Sequence, residues 1–211
     1  GSKVVPRRGA QPPRAEVPYL LHRDIRVADD RDNSPVAGFD ISRDLLSAET
    51  QLTKALPQMI ERANAAGLQV CLEEHLTETQ EQIERLKQSL ELLDAGSKAK
   101  PCKGMAGLIA EGEDVMQENA EKEPEAADLA LIAAAQKVEH YEISSYKTAR
   151  TLAGQIGRPD IALLMNTTLG EEEAAESLLT QIARELMSES RTGISKDDEL
   201  TDAHTGSAKK S

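Results

Sequence analysis

The segment Leu129 to Gly154, LALIAAAQKVEHYEISSYKTARTLAG, decides the fold. It is a long run of strong helix formers without Pro, closed by a Gly, and it predicts a helix. Ala135, Glu139, Glu142, Tyr146, Ala149 and Ala153 recur at spacings of three and four. They share one face of that helix. The face is otherwise small and apolar, yet it carries two carboxylates. An ionised carboxylate facing a helical core is costly unless it is paired or binds a metal. The structural alternative is that Glu139 and Glu142 sit partly in water, in a chain that is 29% charged.

The whole chain suits helices packed on helices. Aromatic residues make up only 2%, with one Phe, three Tyr and no Trp. A core of Ala, Leu, Ile and Met favours helix packing, and the β-branched runs that strands need are missing. The 211 residues allow one domain with sizeable tails. The net charge of −12 argues against nucleic acid as a partner and is compatible with attraction of cations. Two Cys, Cys71 and Cys102, form neither a CxxC pair nor a disulfide framework, which favours a reducing compartment. No apolar run approaches about 18 residues, so no membrane span is expected. The first residues lack a hydrophobic signal region, and the expected location is cytoplasmic.

Three stretches follow. Residues 1–40 read as a Pro- and Arg-rich extension, partly flexible, with Lys3, Arg7, Arg8 and Arg14 near its start. Tyr19, Leu20, Leu21, Val27 and Val36 give it something to bury, so it also reads as an arm that contacts a protein partner. Residues 41–187 read as one helical domain. Residues 188–211 are small, polar and charged, and read as a flexible tail.

Inside the domain the first helix is expected from Ile41 to Ala65, capped by Asp40 or Ser42, with a kink at Pro57. Leu45, Glu49, Leu52, Leu56, Met59 and Ala63 form its stripe, and Glu49 is the one charge in it. A turn at Gly67 leads to an antiparallel second helix, Leu68 to Leu93. Its expected stripe is Leu72, Leu76, Thr79, Ile83, Leu86, Leu90 and Leu93, with His75, Glu78 and Gln82 beside it. A short third helix, Cys102 to Asn119, packs through Met105, Leu108, Ile109 and Val115 and is expected to cross one end of the bundle. Leu129 to Gly154 is the fourth. Pro159 suits the first turn of a fifth helix, Asp160 to Met187. Leu164, Thr168, Glu172, Ala175, Leu179, Ile182 and Leu186 line one face of it. Glu171 and Glu173 flank Glu172 and are expected to be solvated.

Four long helices therefore place carboxylates at core-facing positions near mid-length: Glu49, Glu78, Glu139 with Glu142, and Glu172. A ferritin-like di-metal centre needs that arrangement, one carboxylate from each of two helices and a carboxylate plus a nearby ligand from each of the others. His75 adds an imidazole. Hard oxygen ligands with few imidazoles suit Fe or Mn. Tyr146, one turn from Glu142, either bonds a ligand or passes an electron, or is a plain core residue.

The sequence also resembles the YciE/YciF family of bacterial ferritin-like, rubrerythrin-related proteins. LLSAETQLTKALPQMIERA, EEHLTETQEQIERL, CKGMAGLI, LIAAAQKVEHYEISSY and TLGEEEAAESLLTQIA carry the resemblance, in that order, over residues 41–187. It implies an all-α fold, a ferritin-like four-helix bundle with an additional short helix, five helices in all. It also implies a homodimer, metal binding and a place in bacterial stress responses. The chain departs from the fuller superfamily pattern. A bacterioferritin-type site carries Glu-x-x-His on two helices, whereas here His75 precedes Glu78, and Glu172 is followed by Glu173, Ala174, Ala175 and Glu176. His140 points away from the Glu139/Glu142 face.

Two functions stand against each other on this basis. One is a di-metal protein holding about two Fe or Mn ions per chain on Glu49, His75, Glu78, Glu139, Glu142 and Glu172, with oxidase or peroxide-handling activity. The other is a non-catalytic helical dimerisation module with an empty or degraded site.

Overall fold

The computed structural model describes the backbone of residues 36–96 and 101–205, and the side chains of 40–96 and 101–188. The expectations for residues 1–35 lie outside the described residues. The described chain forms five helices: α1 Val36–Arg62, α2 Ala66–Leu92, α3 Lys103–Glu118, α4 Pro124–Gln155 and α5 Pro159–Thr205. Among the described residues there is no strand, and no helix is long and apolar enough to cross a membrane.

Two short links fix the topology. Residues 63–65 join α1 to α2, and residues 156–158 join α4 to α5, so each pair is an antiparallel hairpin. The hairpins pack with α1 on α4 and α2 on α5, which closes a four-helix ring. The α4–α5 link works because Gly157 adopts a φ of 72°, the left-handed conformation that ends helices. Arg158 N–H then donates to Ala153 O at 2.9 Å, and the Arg158 guanidinium donates to Leu92 O at the end of α2.

The link between α1 and α2 is held from a distance. Ala65, the residue just before α2, supplies no side-chain cap. Asp128 of α4 does so instead. Its Oδ1 accepts from the Asn64 backbone N–H at 2.9 Å, and its Oδ2 accepts from Ala65 N–H at 2.7 Å. Asp128 is buried, and those contacts satisfy backbone donors that a helix start leaves free.

Several expected boundaries shift. Helix α1 starts five residues earlier than Ile41, at Val36, so Asp40 and Ser42 lie inside it and do not cap it. It ends at Arg62 and runs through Pro57, and Gly67 lies within α2 rather than in the turn. Helix α4 starts at Pro124 rather than Leu129, and Pro124 takes the first helical position, where its missing N–H costs nothing. Helix α5 continues past Met187 to Thr205, because residues 188–205 contain no Pro to stop it. Helix α3 does not cross the end of the bundle. Its start bonds Ser47 and Tyr141, Glu111 pairs with Lys137, and Met116 lies by Met59 and Leu131. It therefore lies along the seam between α1 and α4.

The core has two apolar halves. One contains Leu52, Leu56, Leu72, Val138, Leu179 and Ile182. The other contains Leu45, Leu86, Leu90, Tyr146, Met165 and Leu169. Burial of such side chains, at roughly 25 cal/mol per Å2 of apolar surface, drives the bundle together. Between the halves runs a buried polar layer: Glu49 on α1, His75 and Thr79 on α2, Glu139 and Glu142 on α4, and Glu172 on α5.

Candidate metal centre

Each long helix brings its polar residue into the layer by its own register. On α1 the buried stripe is the expected one, and Glu49 is fully enclosed between Leu45 and Leu52. On α4, Glu139 and Glu142 are buried with Tyr146 one turn on. On α5, Glu172 is enclosed between Leu169 and Ala175, and the face begins at Ile161 and Met165 rather than at the half-buried Leu164. On α2 the expected stripe is rotated. Leu76 and Ile83 are only half-buried, while His75, Thr79 and Gln82 face the core.

The layer converges on His75. Its Nε2 lies 3.4 Å from Glu139 Oε1 and 4.0 Å from Glu172 Oε2. One ligand atom from each of His75, Glu139, Glu142 and Glu172 lies within 4.8 Å of all the others. Glu49 approaches the same group from α1, within reach of Glu142 and of the His75 charge. The Tyr146 phenol donates to its Oε1 at 2.5 Å. Five of the six residues expected from sequence thus meet in one place. Glu78 stands at the edge. Its side chain is 43% exposed, and its Oε2 lies 3.9 Å from His75 Nδ1. His140 lies outside the site, exposed on the other face of α4, as its helical position requires.

The site is short of partners. Among the described residues, nine buried side-chain nitrogen and oxygen atoms have no hydrogen-bond partner. They belong to Glu49, His75, Gln82, Glu139, Glu142 and Glu172. An unsatisfied buried polar atom costs about 1–3 kcal/mol, so nine gathered in one layer oppose folding until protons, water or an ion satisfy them.

Electrostatics point the same way. Burial pushes the Glu49 carboxyl up to about 7, although the Tyr146 bond and His75 pull it back. Burial also raises Glu142 well above the usual carboxylate range, and Glu49, Glu172 and Glu139 add repulsion. Glu172 is raised for the same reasons, with Glu49 and Glu139 as its repelling neighbours. Glu139 is raised by burial against the pull of His75. For His75, burial disfavours the charged ring, but Glu139, Glu78 and Glu49 outweigh it and the imidazole is raised. A cluster that draws in protons this strongly also favours a metal cation. Four carboxylates and one imidazole, with no thiolate, form a donor set that fits iron or manganese.

A second layer of contacts braces the site. Arg85 of α2 grips Glu171 of α5 through both oxygens, at 2.5 and 2.7 Å, and donates to Thr168 Oγ1 at 3.0 Å. Gln82 Nε2 adds a bond to Glu171 Oε2 at 3.2 Å. Glu171 is therefore not the solvated flank expected from sequence, whereas Glu173 is half-exposed and pairs with Lys147. Gln82, expected beside the stripe with His75, lies on the enclosed face, because His75, Thr79, Gln82 and Leu86 follow one another at helical spacing. The Arg85–Glu171 pair, 86 residues apart, leaves no local signal.

Comparison with known proteins gives a consistent picture. Residues 40–192 match the family described as Domain of unknown function (DUF892). Protein YciF of Escherichia coli K12 is 46% identical over 142 residues, which is 66% of this chain and 84% of YciF. The crystal structure of the E. coli stress protein YciF superposes with a TM-score of 0.70 at 39% identity, covering 74% of this chain and 98% of that one. YcfI from Rhodopseudomonas palustris superposes with a TM-score of 0.67 at 38% identity, covering 72% and 96%.

Proposed function

The chain belongs to the DUF892 family and is similar to E. coli YciF, and from that premise we propose that it is a metal-binding protein with iron or manganese held in the middle of the bundle. The ligands are Glu49, His75, Glu139, Glu142 and Glu172, and Glu78 reaches in from the rim. The observation that carries this reading is the convergence of buried, unpartnered carboxylate oxygens of Glu49, Glu139, Glu142 and Glu172 on His75, a set that a cation between them would satisfy. His75, Glu139, Glu142 and Glu172 make one ion's donor set. Glu49, bridging toward Glu142, opens a place for a second, so about two ions per chain are expected.

The bound metal supplies Lewis acidity and redox chemistry toward dioxygen or peroxide. The protein supplies the rest. Leu45, Leu52, Leu86, Val138 and Leu169 exclude water above and below the layer. Tyr146 holds Glu49 by one oxygen and leaves Oε2 without a hydrogen-bond partner. The Arg85–Glu171 clamp fixes α2 against α5 next to Glu172. E. coli YciF is described as a stress protein. We carry that to this chain as a role in handling metal or oxidant under stress. Cys71 and Cys102 are both free thiols, in keeping with a reducing compartment.

Metal analysis of protein purified without chelator tests the reading. Bound iron or manganese is expected, lost in a variant lacking Glu139 and Glu142. A metal-free protein that ignores added Fe(II) would leave the bundle as a non-catalytic interaction module.

A further inference from the structure

An apolar recess of about 20 Å3, partly open to solvent, lies between α1, α3 and α4. Leu52, Met59, Leu108, Ile109, Leu131 and Val138 make most of its wall, while the exposed Gln58 and Glu113 sit at its rim. The sequence explains why the space is there. Gly112 of α3 faces Ala134 of α4, and a Cβ placed on Gly112 would meet only the Ala134 methyl, at 4.0 Å. A larger residue at either position would take up part of the gap. Two of its wall residues neighbour polar-layer residues along their helices. Leu52 follows Glu49 by three residues on α1, and Val138 immediately precedes Glu139 on α4.

Size and lining select the occupant. A volume of about 10–15 Å3 is enough for one water, so the cavity holds a single water-sized or diatomic molecule. A water needs two to four polar partners, and the inner wall offers none. An apolar recess of this size instead suits small apolar solutes. Hydrogen peroxide carries two hydroxyl groups and would leave them unpaired there, a penalty that dioxygen does not meet.

We propose that this cavity is a binding and entry site for dioxygen, feeding the buried layer from the α3 side. Its purpose rests on the metal reading above; the choice of ligand rests on size and lining alone. Helix α3, the element added to the four-helix ring, then serves as the outer wall of a gas passage.

Xenon is the probe that separates the two. In solution with the full chain in its apo form, 129Xe is expected to show saturable binding with contacts to Leu108, Ile109 and Val138. Gly112→Leu, which drives a side chain into the space, is expected to abolish it. Should Gly112→Leu fail to fold, Gly112→Ala adds one methyl at an ordinary contact distance and should weaken xenon binding in the same direction. With iron-loaded protein, Gly112→Leu is expected to raise the KM for dioxygen several-fold. Its iron content and its rate with hydrogen peroxide should be unchanged. Wild-type protein without bound xenon overturns the proposal. So do equal oxygen dependences in wild type and variants, or an equal slowing of the peroxide reaction. A protein that takes up no iron overturns the metal reading instead, and the xenon comparison then decides the cavity by itself.

Discussion

The phenol of Tyr146 donates to Glu49 Oε1 across 2.5 Å and so ties the middle of α4 to the middle of α1 inside the polar layer. Both residues are fully buried. A hydrogen bond in that setting does two things: it satisfies one carboxylate oxygen, and it favours the charged form of Glu49 against the effect of burial. Tyr146→Phe keeps the ring and removes the donor. It is expected to destabilise the apo protein by about 1–3 kcal/mol. It should also move the Glu49 titration to higher pH. Urea unfolding of the two proteins checks the first effect, and carboxyl-selective infrared titration the second. Identical curves would show that the bond contributes nothing.

The polar layer also gives the apo protein an unusual pH dependence. Burial raises Glu49 from 4.5 to about 7, and Glu139, Glu142 and Glu172 shift upward with burial as the first cause. The folded state then holds protons that the unfolded chain has released, and stability falls with rising pH. The contribution of Glu49 is whole below about 4.5 and is lost as pH climbs through about 7, with a slope of up to about 1.4 kcal/mol per unit. His75 carries the same sign. Raised above 6.5, it stabilises below that value and loses its contribution as pH rises. Metal requires the deprotonated ligands, so the stabilisation gained from Mn(II) should grow over the same range. Denaturation midpoints with and without Mn(II) across this range check both trends. An apo protein that gains stability with pH would contradict them.

How much of this was readable in the sequence differs helix by helix. On α1 and α5 a single Glu interrupts a run of Leu, Ile and Met at helical spacing, and both Glu49 and Glu172 are where that pattern puts them. On α2 the same logic misleads. Hydrophobicity favours Leu76 and Ile83 for the core, but the layer needs His75 and Gln82, and the helix turns its polar edge inward. Glu78 looked equivalent to the other carboxylates because helical spacing alone cannot say which edge of a stripe is enclosed. The course of α3, the capping of α2 by Asp128 and the Arg85–Glu171 clamp depend on residues far apart in the chain, such as Asn64 and Asp128, and no local pattern encodes them.

Asp128 offers a test of that long-range cap. Replacing it with Ala leaves the Asn64 and Ala65 amides without acceptors, at about 1–3 kcal/mol for each donor that water does not reach. Asp128→Ala should lower the unfolding midpoint without changing the amount of metal bound, because the residue lies outside the ligand set. Loss of metal together with stability would mean that the α1–α2 link, not the ligands alone, holds the site open.

The strongest test of the centre turns on one charge. Glu142 has no hydrogen-bond partner on either oxygen and is repelled by Glu49, Glu172 and Glu139. Glu142→Gln keeps the shape and removes the charge. In the apo protein it relieves repulsion, so the fold should be as stable as the wild type or more so. With metal the order reverses. An ion that binds only the folded form at a hundredfold excess over its Kd stabilises by about 2.7 kcal/mol, roughly 5–10 °C in Tm for a chain of this size. Wild-type protein should show such a rise on adding Fe(II) or Mn(II), and Glu142→Gln much less of one. Glu173→Gln is the control, since Glu173 is half-exposed and pairs with Lys147 at the surface. Glu171 cannot serve, because Arg85 and Gln82 hold it. Apo stability that drops in Glu142→Gln, or equal metal-induced shifts in all three proteins, would remove the carboxylate layer from the account of metal binding.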